Sequence, residues 1–414
     1  MDINILRGED QIGGSVIEVS SGGAHIFLDC GANLEEETPA LPPQVKERLD
    51  SGEIRAVFFS HAHLDHTGLA GFVPEGIPLY IGEKALHVMR AMGEYSQLLK
   101  PKADYRTFQG FRPVTVDGLT VTPFPADHSS FDSYMLLVSD GAETLLYSGD
   151  FRAHGRQSYE SLLRRLPHKI DVLICEGTTL GSDTHGRRTE DELAAEMEPL
   201  LAENPGPAFL LCSGSNPSRI ATAYKAARHT GRMFFQDVYT AKVCAACASA
   251  DPNYPGHPVN IPNPFGAFRG LKVFQVRTAD HALLTQFPKE KRIGRGDMAK
   301  AKEKFVMVIR PNRLFGRMLK TMRDGDGLDF TGGLLIYSMW GGYKHPAHDR
   351  DGRMQAFLQA CTDLGLRVVD LHTSGHADET AIRQLIEKVN PGKILPVHTE
   401  NAGWFRESYP ELCD

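Results

Sequence analysis

The chain has 414 residues, of which 41% are hydrophobic and 23% charged, with seven cysteines and a formal net charge of −7. That size holds two domains with sizeable cores, and the acidic balance argues against a general nucleic-acid coat. No apolar run approaches the ~18 residues of a membrane span, Met1 to Asp10 lacks the apolar core of a secretion signal, and scattered cysteines in odd number fit reduced thiols, so the expected location is the cytoplasm.

In chain order, short apolar runs end in polar or charged residues. Ala24 to Leu28 leads to Asp29 and Gly31. Ile54 to Ser60 leads to His61-Ala62-His63-Leu64-Asp65-His66, which places four metal-competent side chains within six positions. Imidazole nitrogen and carboxylate oxygen are ligands that Zn²⁺ accepts, and a tight loop after a strand fans them towards one point. Val121 to Pro125 leads to Asp127-His128, Thr144 to Tyr147 leads to Ser148-Gly149-Asp150, and Asp171 to Cys175 leads to Glu176. Far downstream, Lys393 to Val397 leads to His398. Buried strands that deliver side chains at their carboxyl ends read this way, and open α/β sheets collect ligands there. A surface histidine cluster would not account for the distant partners.

The segment between Asp150 and His398 interrupts that series and has its own signals. Pro207 to Cys212 reads as a strand; Ser213-Gly214-Ser215-Asn216 then leads to a helix starting at Pro217, with Gly231 at its exit. Ser215 and Asn216 are candidate phosphate contacts, because the free N–H groups of a helix start favour anions, although capped helices are common without one. Cys244 and Cys247 form a lone Cys-x-x-Cys in Ala-rich surroundings and read as helix packing. Between Phe287 and Arg323, twelve Lys or Arg stand against three acids (Glu290, Asp297 and Glu303). Such a segment on an acidic protein can steer a polyanion to one face, the alternative being a solvated helical face. His372-Thr373-Ser374-Gly375-His376 precedes a helix expected near Asp378, where Ser374 and Gly375 would present donors to a phosphate.

Together these residues resemble a metallo-β-lactamase-fold hydrolase. The resemblance implies an αββα sandwich in which His61, His63 and His128 hold one zinc and Asp65, His66 and His398 hold another. Asp150 would bridge the two, and Asp29 would brace the ligands from behind. Asp171 to Thr179, with Glu176, and His372 to His376 are similar to the first two extra motifs of the β-CASP branch, and Pro396 to Glu400, with His398, to the third. Within that branch, His128 to Ser133, His372 to His376 and Ser215 to Arg219 are similar to bacterial RNase J-like ribonucleases. Glu176 in place of aspartate is more like the 3′-end-processing endonucleases. Two further departures are the stop sixteen residues after His398, with no counterpart of the RNase J linker and C-terminal domain, and the absence of the 5′-end pocket loop near Tyr337 to Gly342.

The implied fold is an α/β metallo-β-lactamase domain built from residues 1–182 and 352–414, with an α/β β-CASP insertion at 183–351. The implied function is a metal-dependent phosphodiesterase acting on single-stranded RNA, by endonucleolytic or 5′-exonucleolytic cleavage. Two Zn²⁺, or Mn²⁺ in their place, would lower the pKa of a bridging water and neutralise phosphoryl charge. Asp65, Glu176 and His376 are the expected catalytic residues, with His376 as general acid oriented by Glu176. No membrane partner is expected, and a homodimer is left open. A small-molecule hydrolase of lactonase or thioesterase type, a DNA nuclease, and an inactive scaffold subunit are the alternatives. The first leaves Glu176, His376 and the insertion without a role, His398 leans towards RNA by family analogy, and the unbroken ligand set argues against the last.

Overall fold

The structure is a computed structural model that describes residues 1–33, 39–95, 105–182, 188–248, 260–301, 304–349 and 351–413. The chain divides into two compact units, one of Met1–Gly186 and Gly375–Asp414, the other of Arg187–Ala250 and Val259–Ser374.

The first unit contains two six-stranded sheets. Asp2–Arg7, Val16–Ser21, Ala24–Leu28, Ile54–Phe58, Leu79–Gly82 and Tyr105–Phe108 lie side by side in chain order, antiparallel at first and parallel from Ala24–Leu28 onwards. The other sheet runs Lys393–Val397, Val172–Glu176, Thr144–Tyr147, Ser133–Ser139, Leu119–Ala126 and Val114–Val116. Its first three strands are parallel and the rest antiparallel. Pro396 is tolerated because its strand is at the edge, where a missing N–H costs no ladder bond.

Side-chain alternation assigns the layers. Ile26, Leu28, Ala56 and Phe58 of the first sheet join Val121, Leu136, Val138, Leu145 and Ile174 of the second in one core. Their neighbours Phe27 and Val57 face outwards onto Val45 and Leu49 of the helix Pro43–Asp50, and Leu86 and Met89 of the helix Glu83–Gly93. Met135, Leu146, Leu173 and Cys175 face outwards onto Leu162 of the helix Tyr159–Arg165 and Ile382, Leu385 and Ile386 of the helix Glu379–Val389. Both faces of each sheet are therefore buried, which is why the strands read as continuous apolar runs. The result is the expected αββα sandwich.

The second unit is an all-parallel six-stranded sheet in the order Leu271–Phe274, Met233–Asp237, Phe305–Ile309, Ala208–Leu211, Leu334–Tyr337 and Arg367–Asp370. One face carries the helices Arg295–Lys300, Arg313–Asp324 and Arg353–Asp363 through Met298, Phe315, Met318, Leu319, Met322 and Phe357. The helix Pro217–His229 starts as its punctuation implies, with Asn216 accepting from Arg219 N and Pro217 in the first turn. Cys244 and Cys247 are buried on the helix Val238–Ala248. Among the described residues no cysteine is in a disulfide, and no helix is long and apolar enough to cross a membrane.

The second inter-unit boundary differs from the expected one. Residues 352–374 belong with the second unit, not the first. Arg367–Asp370 pairs in parallel with Leu334–Tyr337, and the intervening helix packs Met354 and Phe357 into the same core. The Gly-rich stretch around 341–349 resembles a linker in composition but lies in the connection of a βαβ crossover. The expected boundary at 182/183 borders residues 183–187, which lie outside the described residues.

Candidate metal centre

Every residue of the proposed ligand set converges at the carboxyl ends of the first unit's strands. Beyond Ile54–Phe58 the chain passes through His61 to His63, which precedes the one-turn helix Leu64–Thr67, and Asp65 and His66 of that turn are buried. Gly149 adopts φ +51°, and a Cβ there would lie 2.8 Å from Ser60 Cβ, so the turn that delivers Asp150 requires glycine.

Two donor sets result. His61, His63 and His128 bring one ligand atom each within 4.8 Å of one another, as do Asp65, His66, Asp150 and His398. His128 Nε2 is 3.2 Å from His63 Nδ1. Asp150 Oδ2 lies 3.8 Å from His61 Nε2, 3.7 Å from His128 Nε2, 3.2 Å from His66 Nε2 and 3.7 Å from His398 Nε2, so one carboxylate adjoins both sets. Asp65 Oδ2 is 3.3 Å from His398 Nε2.

The residues fit a metal on hydrogen-bonding grounds. His61 Nε2, His66 Nε2 and both Asp150 carboxylate oxygens are buried without a hydrogen-bond partner among the described residues. Unpaired buried groups of this kind are costly, and an ion is one of the few arrangements that satisfies them together. The opposite nitrogens are committed. His66 Nδ1 donates to Asp29 Oδ2 at 2.7 Å, and His128 Nδ1 donates to Gly375 O at 2.6 Å. His61 Nδ1 meets Ser60 Oγ at 3.0 Å, and His398 Nδ1 meets Thr178 Oγ1 at 2.8 Å. Such partners fix ring orientation and leave the other nitrogen for a cation.

Electrostatics agree with that chemistry. Burial, together with neighbouring imidazoles, holds His61 and His128 well below the ordinary histidine pKa, and burial also lowers His63, so these three are neutral at neutral pH. Burial would raise the carboxyl of Asp150, but His398, His66 and His376 outweigh it and keep the group ionised. Burial likewise opposes the ionised form of Asp65, and His66 and His398 overcome it. Burial would lower His66, yet the charges of Asp150, Asp29 and Asp65 raise it well above the usual value. A divalent cation on its Nε2 would displace that proton.

Asp29 makes the kind of contact that the resemblance implies for it, to the ring of His66. Fully buried, it adopts φ 59° and accepts from Ser60 N at 2.7 Å, Ser60 Oγ at 2.8 Å, Tyr147 OH at 2.7 Å and His66 Nδ1. Four donors around one carboxylate leave no place for an amide N–H₂. Asp29→Asn is therefore expected to weaken zinc binding by about 10–100-fold, measured by competition with a chromogenic chelator; unchanged affinity would remove Asp29 from the site.

Glu176 and His376 also meet. His376 Nδ1 is 3.1 Å from Glu176 Oε2 and 3.6 Å from Asp150 Oδ2. Burial opposes its cation, but Glu176 and Asp150 prevail and push its pKa up to about 9. Glu176 is fixed in turn by Phe151 N at 2.9 Å and Thr178 Oγ1 at 2.7 Å. Thr178, Ser60 and Tyr147 make bracing contacts that the sequence alone does not single out. Their signal was adjacency to a strand-end motif, which alone does not separate a brace from a spacer.

The expected phosphate contacts fall on either side of the unit boundary. Ser215 and Asn216 lie in the second unit, where the Asn216 side-chain oxygen is already committed to Arg219 N, and Ser215 Oγ meets Ser213 Oγ at 2.8 Å. Ser374 is the last residue of the second unit and Gly375 resumes the first. The carbonyl of Gly375 holds His128, and a Cβ at Gly375 would lie 2.6 Å from Ser129 Oγ, so this glycine is needed for close packing at the centre.

Comparison with known proteins places the chain. Residues 24–200 match the beta-lactamase superfamily domain and residues 363–408 the Zn-dependent metallo-hydrolase RNA specificity domain, together more than half of the chain. Ribonuclease J of Pyrococcus abyssi is 22% identical over 449 aligned positions, covering 100% of this chain and 92% of that protein. The chain belongs to the β-CASP branch of the metallo-β-lactamase nucleases. The transcription termination factor FttA of Thermococcus kodakarensis is 24% identical over 45% of the chain, and the match spans 33% of FttA. A crystal structure of a protein of unknown function from Enterococcus faecalis V583 superposes with a TM-score of 0.75 at 18% identity, covering 97% of this chain and 94% of that one, a likeness of fold alone. As a β-CASP metallo-hydrolase the chain is an enzyme.

Proposed function

We propose that this β-CASP enzyme hydrolyses phosphodiester bonds of single-stranded RNA with two zinc ions, for which manganese can substitute. His61, His63 and His128 hold one ion, Asp65, His66 and His398 the other, and Asp150 serves both. The observation that carries this reading is the single buried carboxylate adjoining two complete donor sets, with the His376–Glu176 pair beside it. When bound, a zinc pair supplies the Lewis acidity that neutralises phosphoryl charge and activates water. The chain supplies the rest. Glu176 accepts from His376 Nδ1, which turns the other ring nitrogen towards the substrate, and His376 delivers a proton from there to the leaving oxygen. Its 23% side-chain exposure lets substrate reach it.

Incubating metal-loaded protein with 5′- and 3′-labelled single strands of RNA and DNA tests the reading. RNA cleavage is expected, with short 5′-terminal products for exonucleolytic action and internal fragments for endonucleolytic action. Preference for DNA would correct the substrate, and no cleavage of either strand would favour a small-molecule hydrolase on the same centre.

Within the basic segment, Lys289 and Lys304 are exposed singly and three more residues share one helix face. Lys291 donates to Phe268 O, and Arg292 to Thr285 O and Phe287 O. Arg295, Lys300, Arg310 and Arg323 are paired with Asp326, Asp297, Asp237 and Asp324; Lys302 and Glu303 lie outside the described residues. Arg313, Arg317 and Lys320 remain exposed at helical spacing, opposite the buried Phe315, Met318, Leu319 and Met322. Converting these three to Glu is expected to flatten the salt dependence of RNA binding by about 2 in log–log slope, since each phosphate contact on a single strand contributes about 0.7. Turnover at saturating RNA should change little. An unchanged slope would make the face merely solvated.

A further inference from the structure

Within the first unit, two strands deliver residues of the metal centre without touching one another. Leu119–Ala126 leads to His128 and Thr144–Tyr147 to Asp150, while Ser133–Ser139 lies between them, antiparallel to both. No ladder hydrogen bond therefore sets the distance between these two strand ends. Yet His128 Nε2 and Asp150 Oδ2 stand 3.7 Å apart, and donors to a shared ion tolerate only about 0.2 Å of error.

A buried ion pair spans that gap. Asp127 directly precedes His128, and Arg152 follows Asp150 by two residues. Both are buried, Arg152 almost completely. Arg152 donates through its backbone N–H to Asp127 O at 2.7 Å and through Nε to Asp127 Oδ1 at 2.5 Å. The other carboxylate oxygen, Oδ2, accepts from Arg156 N and Gln157 N, each at 2.8 Å. A Cβ at Gly155 would lie 1.7 Å from Asp127 Oδ1, so only glycine lets the chain fold this closely over the carboxylate. The segment that leaves Asp150 is thus wrapped round the residue that leads into His128. Burying such a pair incurs a large desolvation cost, and well-packed apolar residues of similar volume often stabilise a fold as well or better. Stability alone therefore gives little reason for it. Its place between two unpaired strand ends gives a better one.

We propose that Asp127 and Arg152 act together as positioning residues for the metal centre, fixing His128 of one donor set against Asp150, which adjoins both. Neither belongs to a donor set itself. This rests on the reading of His128 and Asp150 as metal donors. Lysine cannot replace Arg152, because its single charged nitrogen lies at the end of the side chain and cannot donate from the position of Nε. Asparagine cannot replace Asp127, because its N–H₂ would face either Arg152 Nε or the N–H groups of Arg156 and Gln157, donor against donor.

The test compares Arg152→Lys and Asp127→Asn with Arg48→Lys. Arg48 belongs to the same unit, donates to the buried Glu18 through Nε and Nη2, and joins no donor set. Zinc affinity is read by chelator competition, and kcat and KM on labelled RNA, at temperatures set to equal distances below each Tm. Arg152→Lys and Asp127→Asn should each weaken zinc binding by about 10-fold or more and lower kcat with KM little changed, whereas Arg48→Lys should keep both. The double variant should be little worse than either single one, because residues in direct contact are non-additive. If Arg152→Lys does not fold, Asp127→Asn carries the same expectation. Equal behaviour of the Arg152 and Arg48 variants, undiminished zinc affinity in Arg152→Lys and Asp127→Asn, or fully additive losses in the double variant overturns the proposal. A parent that binds two zinc ions but cleaves no RNA would sink the proposed substrate while the zinc arm still decides the role of the pair. A parent that binds no zinc overturns both.

Discussion

His376→Ala is expected to keep both metal ions and to lose about 10²–10⁴-fold of its RNA cleavage rate, the usual cost of removing a positioned proton donor. The arrangement behind this is the 3.1 Å contact of His376 Nδ1 with Glu176 and its place against His128 and His398, at ring separations of 4.9 and 5.6 Å. A different grouping competes with that role, since Asp150, Glu176, His376 and His398 also bring ligand atoms within 4.8 Å of one another. Two measurements separate donor from ligand. Elemental analysis of His376→Ala should show undiminished metal. A nitrophenyl phosphodiester, whose leaving oxygen needs no proton, should be hydrolysed by His376→Ala nearly as fast as by the parent, whereas His61→Ala should fail on it. Glu176→Gln should show a milder defect of the same kind, and the double variant should be little worse than His376→Ala, because residues acting as a unit are non-additive. Equal loss on both substrates, or loss of metal, would make His376 a ligand or a structural residue.

The candidate metal centre was legible because the residues proposed to hold it stand at strand ends, and strands buried on both faces announce themselves as apolar runs. Thr144–Tyr147, Val172–Glu176 and Lys393–Val397 coincide with such runs, and each hands over a residue of the centre within three positions. What stayed hidden depended on partners remote in sequence. Nothing local marks Arg367–Asp370 as the sixth strand of the second sheet, because its membership is decided by pairing with Leu334–Tyr337. The basic run looked free because Asp237 and Asp326, which neutralise Arg310 and Arg295, lie outside its bounds. Gly375 reads in the sequence as a phosphate donor through its N–H, and the structure gives its carbonyl a further partner, His128 Nδ1. Backbone groups carry no sequence signature, so a role of that kind emerges only when His128 is placed beside it.

Asp150→Asn is expected to have the largest effect of all. Asp150 is 1% exposed, both its oxygens lack a hydrogen-bond partner among the described residues, and four imidazole nitrogens of the two donor sets lie 3.2–3.8 Å from Oδ2. Its charge therefore serves both donor sets at once. An amide keeps the shape but loses the charge and turns an N–H₂ towards one of them. Losing several kcal/mol of metal-derived stabilisation corresponds to a fall in cleavage of about 10³-fold or more. The decisive measurement is a zinc titration of chelated protein that follows bound metal and cleavage of end-labelled RNA together. The parent should bind two equivalents, with cleavage rising as the second is filled, and Asp150→Asn should retain at most one and stay inactive. Full RNA cleavage by a parent holding a single zinc ion, or by Asp150→Asn, would contradict the two-metal account.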